Sequence, residues 1–151
     1  MHLEHRRSIA TPQEFAFNAA SDFARFEREG AGGAKFTRIN GTGVELGSEW
    51  RVEADFRGRM RRFNVRLTGY DPHERIEFST GSSKFDVRVT YAFTATGAAQ
   101  CEMEMSIDTA ARSLAGRLIF QTLQLARARF ERYLAEAAAR MATQMEAEYK
   151  P

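Results

Sequence analysis

Histidine, cysteine and carboxylate side chains could hold a catalytic metal ion, but their spacing in this sequence keeps them apart. The chain has three histidines and one cysteine: His2, His5, His73 and Cys101. Zinc needs three or four such ligands on one face. His2 and His5 are three residues apart in a predicted strand, so their side chains point to opposite faces, and His73 lies in a predicted turn. We expect no metal site and no cofactor, and we expect Cys101 to be a small buried apolar residue.

Acid-base catalysis would need titratable side chains directed into a cavity. Tyr91 alternates in phase with apolar residues of its strand, and His5 and Arg7 lie between the inward-facing residues Leu3 and Ile9. An unpaired charge beneath a helix is costly. His5 and Arg7 therefore form a polar spot that contacts a ligand carboxylate or carbonyl, or they reach a carboxylate at the rim or lie on a frayed strand. No catalytic residue is predicted.

Sequence motifs for covalent catalysis and phosphate binding are missing. The sequence holds no GxSxG, P-loop or dinucleotide-binding GxGxxG motif. The glycine-rich segments 30–33 and 41–43 do not lead from a strand into a helix, where a phosphate would gain from the helix N-terminus. We interpret both segments as turns.

The densest charge cluster lies in segment 57–66, which contains Arg57, Arg59, Arg61, Arg62 and Arg66. Such a cluster could meet anionic headgroups or RNA. However, the preceding strand offers Glu49, Glu53 and Asp55 as cross-strand partners, and no aromatic residue on that face could stack on bases. With a net charge of only +2, we expect a salt-bridged, solvent-exposed hairpin and no nucleic-acid partner.

Length and hydropathy favour one domain spanning residues 1–151. A chain of 151 residues can bury a sizeable core without disulfides. No run of about 18 apolar residues is present, and the N-terminal residues do not resemble a signal peptide. We expect a cytoplasmic protein without stable membrane insertion.

The hydrophobic periodicity predicts the order of the elements. A first strand covers Leu3–Ile9, and Thr11 and Pro12 then begin a short helix that reaches about Ala20. Asp22 caps a second short helix, which ends in the glycine cluster 30–33. Six strands follow between residues 35 and 110, with apolar and polar residues in strict alternation. A change of parity before Phe63 predicts a bulge near residues 61–62.

The C-terminal segment 113–148 predicts one long helix, because it is rich in helix-forming residues and contains no proline. Its main apolar stripe has a 3.6-residue period and consists of Ile119, Leu123, Ala126, Phe130, Tyr133, Leu134, Ala137 and Met141. A second apolar face in the first half holds Leu114, Leu118 and Leu125. The predicted class is α+β, a curved antiparallel sheet of about seven strands wrapped around a long helix.

Four segments together carry a family resemblance: 9–17 with 21–23, 43–50, 67–78 and the C-terminal helix. They resemble the SRPBCC superfamily, also called START-like or helix-grip, and most closely its polyketide cyclase/dehydrase and lipid-transport branch. The sequence departs from the usual family pattern after Asp22, where Phe23 and Phe26 replace a Pro-x-Trp. The resemblance implies a pocket between sheet and helix that binds lipids, polyketides or other apolar molecules, and it implies that only some members are enzymes.

Parity along the strands and helix selects the residues that would line such a pocket. The predicted ligand-binding residues are Phe26, Trp50, Val52, Phe63, Val65, Leu67, Phe78, Val87, Val89, Tyr91, Met103, Met105, Leu123 and Phe130. Because this wall is almost wholly apolar, we expect a protein that binds or carries a small hydrophobic ligand.

Two other functions stay open at this stage. The pocket could serve a polyketide cyclase/dehydrase-like enzyme in which Tyr91, His5 or Arg7 orients the substrate. Alternatively, Leu114, Leu118 and Leu125 could dock a protein partner, including a second copy in a homodimer.

Overall fold

An antiparallel sheet frames the protein in a computed structural model that describes residues 1–56 and 58–151. Among these residues the sheet has seven strands in the order β1-β7-β6-β5-β4-β3-β2, accompanied by four helices. The elements are β1 His2–Ile9, α1 Gln13–Ala20, α2 Phe23–Glu29, β2 Lys35–Asn40, β3 Glu49–Phe56, β4 Arg59–Asp71, β5 Arg75–Gly81, β6 Phe85–Gly97, β7 Gln100–Ala111, α3 Leu114–Gln124 and α4 Arg127–Glu148. The predicted α+β helix-grip class is confirmed.

Cross-strand pairing explains why the apolar residues share one face. Val52 lies opposite Phe63, Phe78 lies opposite Val89, and Tyr91 lies opposite Met105. Side chains of directly opposed residues project from the same side of a sheet. We call this side, against which α4 packs, the inner face.

The predicted bulge near residues 61–62 is wrong. β3 and β4 pair without a register shift along their whole shared length. Met60, whose apolar side chain suggested the bulge, lies opposite Asp55 on the outer face and is 67% exposed. Register shifts occur instead between residues 38 and 40, 67 and 69, and 95 and 97.

The arginine-rich hairpin forms two of the predicted cross-strand ion pairs. Arg66 Nη2 lies 2.8 Å from Glu49 Oε1, and Arg62 Nε lies 3.9 Å from Glu53 Oε1. Arg59 and Arg61 are exposed, and Arg57 lies outside the described residues. Exposed pairs of this kind contribute little to stability.

Both short helices form where the sequence placed them, but only one has the predicted cap. The Asp22 side chain accepts a hydrogen bond from Arg25 N, which caps α2. Thr11 does not cap α1: it is completely buried and its hydroxyl donates to the Pro12 carbonyl. Pro12 therefore takes the N-cap position, one residue later than predicted.

The predicted single C-terminal helix is broken into α3 and α4. At the break, the backbone N–H groups of Leu125 and Ala126 donate to the carbonyls three residues earlier, at Thr122 and Leu123. Such 3₁₀-type bonds tighten a helix end. Neither glycine nor proline marks this position, so the break leaves no local signal in the sequence.

α4 packs along β1 and closes one half of the inner face. Its buried residues recur every three or four positions, as expected for one face of a helix; they are Leu134, Ala138, Ala142 and Met145. Beneath it, Ile9, Cys101 and Met103 have no exposed surface. Burial raises the pKa of the Cys101 thiol.

Candidate ligand-binding cavity

The other half of the inner face borders a cavity of about 600 Å³. Its walls come from the end of α1, from α2 and the turn after it, from β2–β7, and from the C-terminal half of α4. This volume lies in the range of small-molecule binding pockets. Phe63 belongs to the wall and is still 42% exposed, which indicates that the cavity is open at its end of the sheet.

Nine of the fourteen predicted lining residues come together at this wall. They are Phe26, Trp50, Val52, Phe63, Val65, Phe78, Val89, Tyr91 and Met105. Aromatic rings account for much of the surface: Phe23, also on the wall, contacts Trp50 and Phe78 with ring centroids 5.1 and 5.8 Å apart. That these residues bind a ligand stays a prediction.

The structure places the other five predicted residues away from the wall. Leu67 and Met103 are completely buried in the core. Val87 is half-buried, one inner-face position closer to the β5–β6 turn than Val89. Leu123 is half-buried on α3, and Phe130 packs against the core. Parity assigns a face correctly, but one face here serves both a packed core and a cavity.

His5 and Arg7 lie on the inner face but outside the cavity wall. Their register opposite Met105 and Met103 puts them on the inner face, but β1 is an edge strand beneath α4. His5 is half-buried there and Arg7 is exposed, and neither belongs to the cavity wall. That His5 or Arg7 contacts a ligand stays a prediction.

The residues at the rim of the cavity are not among those predicted from the sequence. The missed wall residues of α2 and α4 include the charged or polar side chains Arg25, Glu29, Arg140, Gln144 and Glu148. The apolar stripe predicted on the C-terminal helix already contained Ala137 and Met141, which do line the cavity. The same helix face, extended by two turns, would have indicated Gln144 and Glu148.

A hydrogen-bonded ion pair joins α2 to the end of α4 at this rim. Arg25 donates to both carboxylate oxygens of Glu148, at 2.9 and 2.7 Å, and to Glu29 at 3.0 Å. Hydrogen bonds from Arg25 and then from Gln144 lower the pKa of Glu148 to about 2, and the hydrogen bonds that Arg25 donates to Glu148 and to Glu29 raise the pKa of Arg25. Both groups therefore stay charged at neutral pH.

Arg140 supplies a charge at the rim that the protein does not neutralise. It lines the cavity from α4 and is exposed. Across residues 1–56 and 58–151, no carboxylate forms an ion pair with it. A guanidinium in this state can bind an anionic group of a ligand in a bidentate manner.

Tyr91 supplies a neutral hydroxyl at the wall. Burial raises its pKa, so the phenol stays protonated at neutral pH and cannot act as a general base there. Within the described part of the chain its hydroxyl has no hydrogen-bond partner, and it is not sealed off in the core. It can therefore donate a hydrogen bond to a ligand oxygen.

Two further properties concern metals and membranes. Within the described ranges, no group of three or more His, Cys, Asp or Glu side chains is arranged to hold a metal ion. None of the helices in those ranges combines the length and the apolar character needed to cross a membrane.

Sequence comparison then identifies the family. A family model described as polyketide cyclase / dehydrase and lipid transport matches residues 1–146. The chain belongs to this family. The resemblance to the SRPBCC superfamily is confirmed, while no curated protein sequence matches the chain.

Solved structures share the fold of this family member at low sequence identity. Norcoclaurine synthase from Thalictrum flavum, in complex with dopamine and hydroxybenzaldehyde, is 12% identical with a TM-score of 0.72, covering 100% of this chain and 88% of that one. Zhui aromatase/cyclase from Streptomyces sp. R1128 is 13% identical with a TM-score of 0.63, covering 93% and 94%. Ara h 8.0201 is 11% identical with a TM-score of 0.71, covering 98% and 99%.

Proposed function

We propose that the protein binds or carries a small hydrophobic ligand, such as a lipid, a polyketide or another apolar metabolite, in the cavity between sheet and α4. The observation that carries this proposal is the cavity itself, with a volume of about 600 Å³ and a wall of mainly aromatic and aliphatic side chains. Burying apolar ligand surface against such a wall contributes roughly 25 cal/mol per Å². The family, which includes lipid transport, agrees with this function.

The polar groups of the wall favour a ligand with an apolar body and at least one oxygen. Tyr91 offers a hydrogen-bond donor, and Arg140 offers an unneutralised cation at the rim. Few, well-placed polar groups in an apolar pocket typically orient the ligand rather than supply most of the affinity.

A second candidate is a polyketide cyclase/dehydrase-like enzyme that uses the same cavity. The observation in its favour is the protonated Tyr91 hydroxyl, which could stabilise negative charge developing on a substrate carbonyl oxygen. The cavity wall includes no histidine or lysine, and its carboxylates lie at the rim, where Glu148 is bonded to Arg25. A proton-abstracting base near Tyr91 is therefore missing from the described wall, which favours binding over catalysis.

Native mass spectrometry of the protein purified from its own host tests the binding function. We expect a stoichiometric adduct of low mass that solvent extraction releases as an apolar compound. A bare protein mass, together with no binding of an apolar dye to the purified protein, would contradict the proposal.

The extracted compound then separates the two candidates. Incubated with the Tyr91→Phe variant, it should still bind, with an affinity reduced by about fivefold, the value of one hydrogen bond. If wild type converts the compound and Tyr91→Phe binds it without conversion, the enzyme function replaces the carrier function.

A further inference from the structure

The helix α3 exposes a stripe of leucines to solvent. Leu114 is 73% exposed, Leu118 is 57% exposed, and Leu125, just past the helix end, is 90% exposed. At 100° per residue these three positions fall within about 40° of one another around the helix axis. The opposite side of α3 packs on the sheet, where Phe120 contacts Phe85 at 5.8 Å between ring centroids. The leucine stripe therefore faces away from the protein's own core.

The chain around this stripe carries positive charge without acidic residues. Residues 109–130 contain Arg112, Arg117, Arg127 and Arg129 but no Asp or Glu. Arg112 pairs with Asp86 and Arg127 with Glu131, at 3.5 and 2.9 Å. Arg117, one turn from Leu114 and beside the stripe, is exposed and forms no ion pair with any residue that the structure describes.

More cations lie at the same end of the sheet. The antiparallel order puts the β3–β4 hairpin, the β5–β6 turn and the start of α3 at one end. The β5–β6 turn contacts α3 directly, because the Lys84 carbonyl accepts from Arg112 N and leaves no room for a side chain at Gly116. Lys84, Arg59 and Arg61 are exposed there, and so are the carboxylates Asp55 and Asp86. With Arg112 and Arg117, basic side chains outnumber the acidic ones beside the exposed leucines.

We propose that this surface, made of α3 and the β5–β6 turn, docks on an anionic lipid membrane. The leucine stripe would enter the boundary between headgroups and acyl chains, and Arg117 and Lys84 would contact lipid phosphates. Amphipathic helices with leucines on one face and flanking basic residues bind membranes in this way without spanning them.

The basic and apolar character of this surface favours a membrane over a second copy of the chain or a nucleic acid. A second copy docked on α3 would present the same predominantly basic surface and so could not neutralise Arg117 and Lys84, whereas lipid phosphates would. A nucleic acid would match the cations but would leave the leucines unburied. The membrane proposal is independent of what the cavity binds.

Vesicle co-sedimentation tests the proposal with the full chain. The probes are vesicles of phosphatidylcholine alone and vesicles of equimolar phosphatidylcholine and phosphatidylglycerol. We expect binding to the anionic vesicles only, and weaker binding as salt is raised. Leu118→Gln should weaken binding by about tenfold, from the lost apolar burial, and Arg117→Gln by about fivefold, from one lost cation.

Two matched variants control for general effects of the substitutions. Leu46→Gln removes a leucine that is 64% exposed at the opposite end of the sheet, and Arg51→Gln removes an exposed arginine of the outer face. Both should bind like wild type. Circular dichroism confirms folding of each variant before binding is compared.

Three outcomes of the vesicle experiment would contradict the proposal that this surface docks on a membrane. They are no sedimentation with anionic vesicles, equal losses in the control variants, and binding that Leu118→Gln does not change. Sedimentation velocity tests the alternative that a second copy of the chain docks on α3. A dimer that Leu118→Gln abolishes, without any vesicle binding, would assign α3 to a protein interface instead.

Discussion

The two halves of the inner face are built from the same kind of alternating strands, but α4 packs closely on only one of them. Over β1 and β7, α4 lies close to the sheet, and Ile9, Cys101 and Met103 are completely buried. Over β3–β6, the sheet and α4 diverge, and Trp50, Val65 and Phe78 border open space. The contrast shows that an apolar face becomes a cavity only where no second element reaches it.

Side-chain size on α4 agrees with this difference. Ala138 and Ala142, which are buried, let the helix approach β1 closely. Ala137 and Met141, one position earlier in each turn, face the cavity. Small residues on the side of α4 that faces β1 allow the helix and the strand to pack closely. The adjacent side has no strand against it, so the space beside that side stays open.

Truncating side chains on the two sides of α4 should give the largest difference in stability between the packed half and the cavity half. Leu134→Ala removes a side chain that is 5% exposed in the packed half and should cost about 2–5 kcal/mol, because the core cannot close over the lost volume. Met141→Ala removes a half-buried side chain beside existing space and should cost about 1 kcal/mol. Urea unfolding of both variants measures the difference. Equal costs would mean that the two halves are packed alike.

The rim ion pair should give a smaller, pH-dependent effect. The folded pKa of Glu148 is about 2 and its ordinary value is 4.5. A lowered carboxylate pKa stabilises the fold above the ordinary value, and this stabilisation is lost as pH falls from about 4.5 to about 2. Wild type should therefore melt at a higher temperature than Glu148→Gln near neutral pH, and the difference should vanish near pH 2.

Glu136→Gln on the same helix is the matched control, because Glu136 is exposed and forms no ion pair in the described part of the chain. Its melting temperature should follow wild type at every pH. A pH-independent deficit in Glu148→Gln would instead assign the effect to lost packing at the rim.

Strand alternation predicted most of the fold because it depends only on which residues are apolar. Trp50, Val52, Phe63 and Val65 were assigned to one face from their spacing, and the register confirms that face. Period and parity also gave the number of strands and the two short helices. These features follow from local chemistry, which a single sequence contains.

The remaining details depend on contacts between distant residues. Leu67 and Met103 have the same parity as the cavity wall, yet they lie in the core, because burial depends on which distant parts of the chain pack over each position. No glycine or proline lies at the helix break at Leu125, so no local sequence signal marks it. The Arg25–Glu148 pair joins residues 123 positions apart, so no local pattern could indicate it.

Binding of the fluorescent dye anilinonaphthalene sulfonate tests the central claim, an open apolar cavity, most directly. The comparison uses Ala137→Phe, which fills the cavity from α4, and Ala139→Phe, a half-buried alanine of the same helix outside the wall. Leu118→Gln controls for dye bound at α3. We expect tight dye binding by wild type, Ala139→Phe and Leu118→Gln, and at least about tenfold weaker binding by Ala137→Phe, because its ring occupies the ligand volume. Equal binding by Ala137→Phe and Ala139→Phe, or no binding by wild type, would contradict the cavity.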